Sequence, residues 1–370
     1  MSPARAERVA DLRARMAGMN LDALLVQNAE NRRYLSGYTG LDAQLDESAG
    51  AAIVTAERLI LATDSRFTTQ ALEECPGWEV FTHKEGLAKA LPGIFKDLTV
   101  KRAGFEEARL TFAEHARYTA ELSAAGGRVE LTPVRELVEA RRVRKDPSEI
   151  EAVRRALSLA EDAFRDFVAA LKLPATEREL SWRLERAMRE RGADALSFPV
   201  ICAAGANSAK PHAIPSDRPV KEGDILLLDF GAMLDGYCSD ITRTLFLGKA
   251  DPVLKKIFGI VREAQALATE AIRPGADAKD VDAAARDHIA KNGYGESFGH
   301  SLGHGVGLAV HEAPRLGPLK STILEPGMVV TVEPGIYLPG LGGVRLENMA
   351  LVTATGVEIL NSLPVEIPFP

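Results

Sequence analysis

The residues with chemistry in them are concentrated between positions 212 and 347. Asp229 closes the apolar run Ile225-Leu-Leu-Leu-Asp229, and Asp240 opens the run that returns after Asp235-Gly236. Asp-Gly between apolar stretches signals a hairpin turn, so the spacing predicts two strands that bring both carboxylates to neighbouring positions. Two buried carboxylates without partners repel each other and lose hydration. A divalent cation removes that conflict. Further on, His300, His304 and His311 fall within twelve residues, among Gly299, Gly303, Gly305 and Gly307. So much glycine argues against a helix and lets backbone approach a ligand closely. Glu333 ends the apolar run Val329-Val-Thr-Val, and Glu347 follows Gly343-Val-Arg345-Leu. The two-residue strand period puts Arg345 and Glu347 on one face. Four carboxylates and an imidazole form an oxygen-rich set that suits Mn²⁺, Co²⁺, Fe²⁺ or Zn²⁺ better than a closed structural zinc. The set exceeds the needs of one ion, so two ions about 3.5–4 Å apart are expected, with a water of lowered pKa as nucleophile.

The elements that must position these residues are legible in outline. Residues 3–18 read as a helix, 21–26 as a strand, and 28–31 as a polar turn. The short apolar runs 51–54 and 59–62 read as a hairpin. Helices then alternate with strands to about residue 130, an α/β arrangement able to close its own core. Arg141, Arg142, Arg144 and Lys145 form a basic cluster that reads as a solvated linker or helix face. Pro147, with Glu149 and Glu151 in the first turn, marks a helix start. Long helices follow over 148–171 and 177–191. The chain is strand-rich from 198 onward, with a helical interlude over 252–290. The expected organisation is an N-terminal α/β domain over 1–130, a linker over 131–150 and a catalytic domain over 151–365.

The order His212, Asp229, Asp240, His304, His311, Glu333, Glu347, with these flanking motifs, resembles the proline-specific metallopeptidases called prolidases and aminopeptidases P. The motif-bearing match spans 207–348. The first half is similar to the family's smaller domain more weakly, through Asn31-Arg-Arg-Tyr-Leu-Ser-Gly and Thr63-Asp-Ser-Arg-Phe. The resemblance implies an α+β pita-bread catalytic domain preceded by a smaller mixed α/β domain. It implies two divalent metal ions per subunit, foremost Mn²⁺, with Co²⁺, Zn²⁺ or Fe²⁺ as alternatives. Asp229 would chelate one metal, His304 and Glu333 the other, and Asp240 and Glu347 both. His212 and His311 would contact the substrate backbone and stabilise the tetrahedral intermediate. Glu333 would also carry the proton from water to the leaving nitrogen. Tyr337 would sit in the substrate pocket, with His300 and Arg345 supporting the ligands from behind. Arg315 matches a position that binds the free carboxylate of a dipeptide. The implied substrates are Xaa-Pro dipeptides or longer peptides with proline second, and the implied assembly is a homodimer.

Composition narrows the remaining classes. A chain of 370 residues is long for one core and suggests two domains. A net charge of −7 gives no general attraction to nucleic acid or anionic lipid. No run approaches ~18 apolar residues, so no membrane span is expected. Residues 1–19 form an amphipathic pattern without an apolar core or cleavage site, and Glu7 and Asp11 speak against a transit peptide. Cys75, Cys202 and Cys238 are an odd set without close pairing, which suggests reduced thiols and a cytoplasmic protein. Glu312 reads equally as support for the site or as an ordinary ion-pair partner. His83, His115 and His288 lack a motif and read as surface or structural. The loop 40–48 is a candidate to approach the pocket, of its own or a partner subunit. A methionine aminopeptidase would leave the N-terminal domain unexplained. A creatinase-type hydrolase or a binding protein would tolerate missing ligands, and none is missing.

Overall fold

The apolar runs of the first half become strands buried along their whole length, among them Ala23–Val26, Ala51–Thr55 and Leu59–Thr63. The computed structural model describes residues 1–42, 44, 47–126, 128–249 and 251–368. It falls into two units, Met1–Arg141 and Arg142–Pro370. The first holds a six-stranded sheet in the order Glu79–Thr82, Leu59–Thr63, Ala51–Thr55, Ala23–Val26, Arg102–Glu106, Glu130–Val134. The three central strands pair antiparallel, and the flanking ones add in parallel. Helix Pro3–Gly18 buries Val9, Leu12 and Met16, a helical stripe of three- and four-residue steps.

Two readings of the first unit change. The polar segment at 28–31 is a helix start: Asn28 caps helix Ala29–Ser36 by accepting the N–H of Asn31 at 2.8 Å. Its Arg32 is fully buried because its guanidinium satisfies the carbonyls of Gln27, Gly40 and Gly50 and the carboxylate of Asp42. The segment read as a linker from 131 onward supplies strand Glu130–Val134, which among the described residues is an edge strand paired with Arg102–Glu106. An edge tolerates Pro133, whose missing N–H hid the strand from a sequence reading. In the loop 40–48, Ala43, Leu45 and Asp46 lie outside the described residues.

The second unit begins at Arg142. Asp146 caps helix Pro147–Ala169 in a reciprocal capping box with Glu149, and Pro147 occupies the first turn. This helix and Glu177–Glu190 bury Val153, Leu157, Phe164, Leu180, Leu184 and Met188 in one core. The same core takes Leu226, Leu228 and Phe230 from strand Ile225–Phe230, and Met349 and Leu351 from strand Asn348–Val352. The helix pair Pro252–Ala271 and Ala278–Lys291 forms a second core with Ile225, Val330, Val332, Ala350 and Val352. Alternate residues of strands Val329–Val332 and Asn348–Val352 therefore enter opposite cores, as a two-residue period requires of strands covered on both faces. Five strands pair in the order Glu312–Leu316, Gly303–Gly305, Val329–Val332, Asn348–Val352, Val357–Ile359. Three more pair as Ile241–Phe246, Ile225–Phe230, Ile201–Ala204. Asp235 and Gly236 both have positive φ, as the predicted two-residue turn demands.

Phe164 is fully buried and stacks on Phe230 with ring centroids 4.9 Å apart. Phe164→Ala should lower the unfolding free energy of the second unit by about 3–5 kcal/mol, read as an earlier urea midpoint.

Candidate metal centre

Strands Ile225–Phe230 and Ile241–Phe246 pair antiparallel with Asp229 opposite Thr242. Asp240 immediately precedes the second strand, two residues from Thr242, so it shares the face of Asp229 on the diagonal. Gly231 lets the chains cross here, since a Cβ would lie 1.9 Å from the Ser239 carbonyl oxygen. Glu333 follows strand Val329–Val332 directly. Glu347 stands in the break between strands Gly342–Arg345 and Asn348–Val352, so it does not continue the face of Arg345 as a strand would. The two meet instead at Thr242, whose hydroxyl accepts Arg345 Nε at 3.0 Å and donates to Glu347 Oε2 at 2.7 Å.

His304 lies in the short strand Gly303–Gly305. Its Nδ1 donates to the Gly305 carbonyl at 3.1 Å, leaving Nε2 toward Glu333 Oε1 at 3.3 Å and Asp240 Oδ2 at 3.6 Å. That tautomer presents an imidazole nitrogen to a cation. The flanking glycines serve the neighbouring strands rather than a ligand. A Cβ at Gly303 would lie 2.0 Å from the Thr331 carbonyl oxygen, and at Gly305 2.2 Å from that of Ala313.

The electrostatics are those of a cluster short of positive charge. Burial, then Glu347, Asp229 and Glu333, push the Asp240 carboxyl well above its usual range. Burial, then Glu333 and Asp229, do the same to Glu347. Burial raises Asp229 against the pull of Arg345, whose Nη2 donates to Asp229 Oδ2 at 2.7 Å. Glu333 is the exception: burial raises it, but the hydrogen bond and charge of His304, with Arg345, hold it below its ordinary value. Asp229 Oδ1 and Glu347 Oε1 are buried and have no hydrogen-bond partner among the described residues. One ligand atom each from Asp240, His304 and Glu347 fall within 4.8 Å of one another. Orphaned carboxylate oxygens beside an imidazole nitrogen are the donor set a divalent cation satisfies.

This cluster floors a cleft of about 780 Å³, also lined by His212, His300, His311 and Arg315. His311 packs edge-on to His304, with centroids 4.3 Å apart, and burial and the His304 charge keep its pKa below the ordinary imidazole value. Arg315 donates from Nε to Ser301 Oγ at 2.7 Å. Tyr337 stands behind the wall rather than on it. Its hydroxyl accepts Arg345 Nη1 at 2.8 Å and meets His300 Nε2 at 2.9 Å, so it braces the ligand supports instead of facing a substrate.

The basic cluster is also corrected. Arg142 and Lys145 are buried, because both reach the Glu312 carboxylate, Lys145 Nζ at 3.3 Å. Glu312 further accepts the Ala309 N–H at 2.9 Å, which fixes the turn before His311. Sequence reasoning missed this cluster, together with Thr242 and Thr331. Thr331 receives the His304 N–H at 3.0 Å and donates to Glu333 at 3.2 Å. The available signal was position: each threonine sits two residues from a candidate ligand and so shares its face.

Comparison with known proteins gives the family. Residues 151–354 match the model for metallopeptidase family M24, and 8–144 that for the creatinase/prolidase N-terminal domain. The chain belongs to metallopeptidase family M24. Its second unit is the pita-bread catalytic domain and its first the smaller N-terminal domain. It is 41% identical over 356 residues to the uncharacterized peptidase YqhT of Bacillus subtilis, covering 96% of this chain and 98% of that one. A solved Xaa-Pro dipeptidase from Bacillus anthracis superposes with a TM-score of 0.91 at 38% identity, over 98% of this chain and all of that one. An X-Pro aminopeptidase structure from Thermotoga maritima gives 0.85 at 36% identity, over 95% of this chain and 100% of that one.

Two outcomes follow from the electrostatics. In chelated protein, Asp240→Asn should move the urea midpoint upward, because it relieves the repulsion among the buried carboxylates, while calorimetry should find divalent-ion binding lost. Glu312→Ala should cost about 3–5 kcal/mol by leaving two buried cations uncompensated, measured as a fall in the urea midpoint.

Proposed function

We propose that this chain is an Xaa-Pro dipeptidase that uses two divalent metal ions to hydrolyse the bond preceding proline. The observation that carries this is the cluster of orphaned, mutually repelling carboxylates facing His304 Nε2 in the floor of a cleft that Arg315 also lines. Asp229, Asp240, His304, Glu333 and Glu347 would hold the ions. Oxygen-rich ligation with one imidazole favours Mn²⁺, with Co²⁺, Zn²⁺ and Fe²⁺ compatible. Bound there, the ions supply electrophilic polarisation of the scissile carbonyl and a more acidic water.

The chain's own groups do the rest. Glu333 is held ionised and lines the cleft, so it can take a proton and return it to the proline nitrogen as that leaves. His311, kept neutral, donates one N–H to the developing oxyanion, and His212 contacts the substrate backbone. Arg315, steadied through Nε by Ser301, offers its remaining N–H groups to a terminal carboxylate. That group selects dipeptides, since longer peptides carry no charge at that point.

A homodimer in the cytoplasm belongs to the same reading. Cys75, Cys202 and Cys238 are buried thiols, in keeping with a reducing compartment. Among the described residues no helix is long and apolar enough to cross a membrane. The alternative is an Xaa-Pro aminopeptidase on longer peptides, favoured by the near-equal likeness to the Thermotoga maritima protein. A creatinase-like or purely binding role is disfavoured by the complete ligand set.

Hydrolysis of Ala-Pro beside Ala-Pro-Ala, after chelation and with Mn²⁺, Co²⁺ or Zn²⁺ restored, tests the reading. Metal-dependent cleavage of the dipeptide is expected. Arg315→Ala should raise KM for Ala-Pro by roughly 10–100-fold with kcat nearly unchanged. Preference for the tripeptide would favour the aminopeptidase, and inertness to both would overturn proline specificity.

A further inference from the structure

The loop that carries His212 is closed at both ends by one buried carboxylate. Glu177 opens helix Glu177–Glu190 and has no exposed surface. Its Oε1 accepts the Ala204 N–H at 2.7 Å. Its Oε2 accepts Asn207 Nδ2 at 2.8 Å, the Ser216 N–H at 3.0 Å and the Ser216 hydroxyl at 2.6 Å. Asn207 lies five residues before His212 and Ser216 four after it. The two stems of the loop are thus tied to one side chain.

The backbone reinforces this clasp. Glu177 N donates to the Arg218 carbonyl at 3.2 Å, and Arg178 N to that of Ser216 at 3.1 Å. The apex is tied to the metal centre, because Arg345 Nη1 donates to the Pro211 carbonyl at 3.1 Å. Between these ties His212 stands exposed in the cleft. A carboxylate accepts from all four donors at once, whereas an amide would turn its NH₂ against one of them.

We propose that Glu177 is a positioning residue, clasping both stems of loop 205–218 and so fixing His212 over the cleft. The proposal rests on the substrate contact assigned to His212 above. It gives the buried glutamate a task that neither core packing nor metal binding requires.

The test uses Glu177→Gln, Ser216→Ala, His212→Ala and the Glu177→Gln/His212→Ala double variant, each confirmed folded by a cooperative melt. Amide hydrogen exchange of 205–216 is read in the full chain, and kcat/KM is measured on Ala-Pro with Mn²⁺. Expected are at least about tenfold faster exchange across 205–216 in Glu177→Gln and Ser216→Ala, with strand Ile225–Phe230 still protected. In Glu177→Gln, kcat/KM should fall roughly 10–100-fold, yet less than about threefold when His212 is already alanine. Unchanged exchange overturns the clasp, and full multiplicative effects in the double variant overturn its action through His212. If His212→Ala alone leaves kcat/KM intact, the contact assigned to His212 fails and the catalytic half of the proposal with it, while the exchange pattern still decides the clasp. Should Glu177→Gln not fold, Ser216→Ala and Asn207→Ala carry both readouts.

Discussion

Asp229, Asp240, Glu333 and Glu347 share one buried cluster, and much of the second unit is arranged around keeping them there. Each buried charge without compensation costs several kcal/mol. Arg345 supplies a permanent positive charge among them, and His304 adds one when it is protonated. Arg345 is nearly fully buried and distributes its donors to Asp229, Thr242, Tyr337 and the Pro211 carbonyl. A planar, permanently charged fork can serve four acceptors in fixed directions. A lysine has three donors around one point and would leave part of this network unmade. The residual excess of negative charge suits the cluster to a cation.

Delivering those side chains requires strands that stop or break at the right place, and breaks expose backbone. Arg243 answers that need. It donates to the Glu347 carbonyl, to Asn348 Oδ1 at 2.9 Å and to the carbonyls of Leu363 and Pro364 at 2.9 Å each. The interruption that frees Glu347 is therefore satisfied by a buried guanidinium that also holds the C-terminal segment. Close strand approach at Gly303 and Gly305 places His304 beside the same cluster. Two helix pairs cover the opposite faces with apolar cores, and the carboxylate cluster gathers where these strands end or break.

The parts legible from sequence were those written in local code. Asp-Gly marked a turn, Pro147 and its acidic neighbours marked a helix start, and the apolar run Ile225-Leu-Leu-Leu placed Asp229 in a buried strand. What stayed hidden depended on partners distant in the chain. Lys145 reads as a surface lysine until Glu312 is brought to it, 167 residues away. Asn28 reads as a turn until the donor of Asn31 closes on it, because the helix it caps is too polar to show a stripe. Glycines among the histidines signalled close approach, but only the fold shows that what approaches is a neighbouring strand. Strand Glu130–Val134 was obscured by a proline that only an edge position permits.

The same dependence on distant partners explains how loops of the second unit are held. Three buried glutamates act as clasps. Glu161 accepts the N–H groups of Ser362 and Leu363, Glu177 gathers the stems around His212, and Glu312 joins Arg142, Lys145 and the Ala309 N–H. A carboxylate offers about four acceptor sites on two atoms, so one side chain can tie several backbone donors that a loop would otherwise leave to water. Such ties are directional, which apolar packing is not. Hydrolysis needs groups held to within a fraction of an ångström of a productive geometry. The carboxylate cluster stands at strand ends and breaks while His212 and His311 stand on loops, and the carboxylates of Glu177 and Glu312 tie those loops by hydrogen bonds as strand pairing ties the cluster.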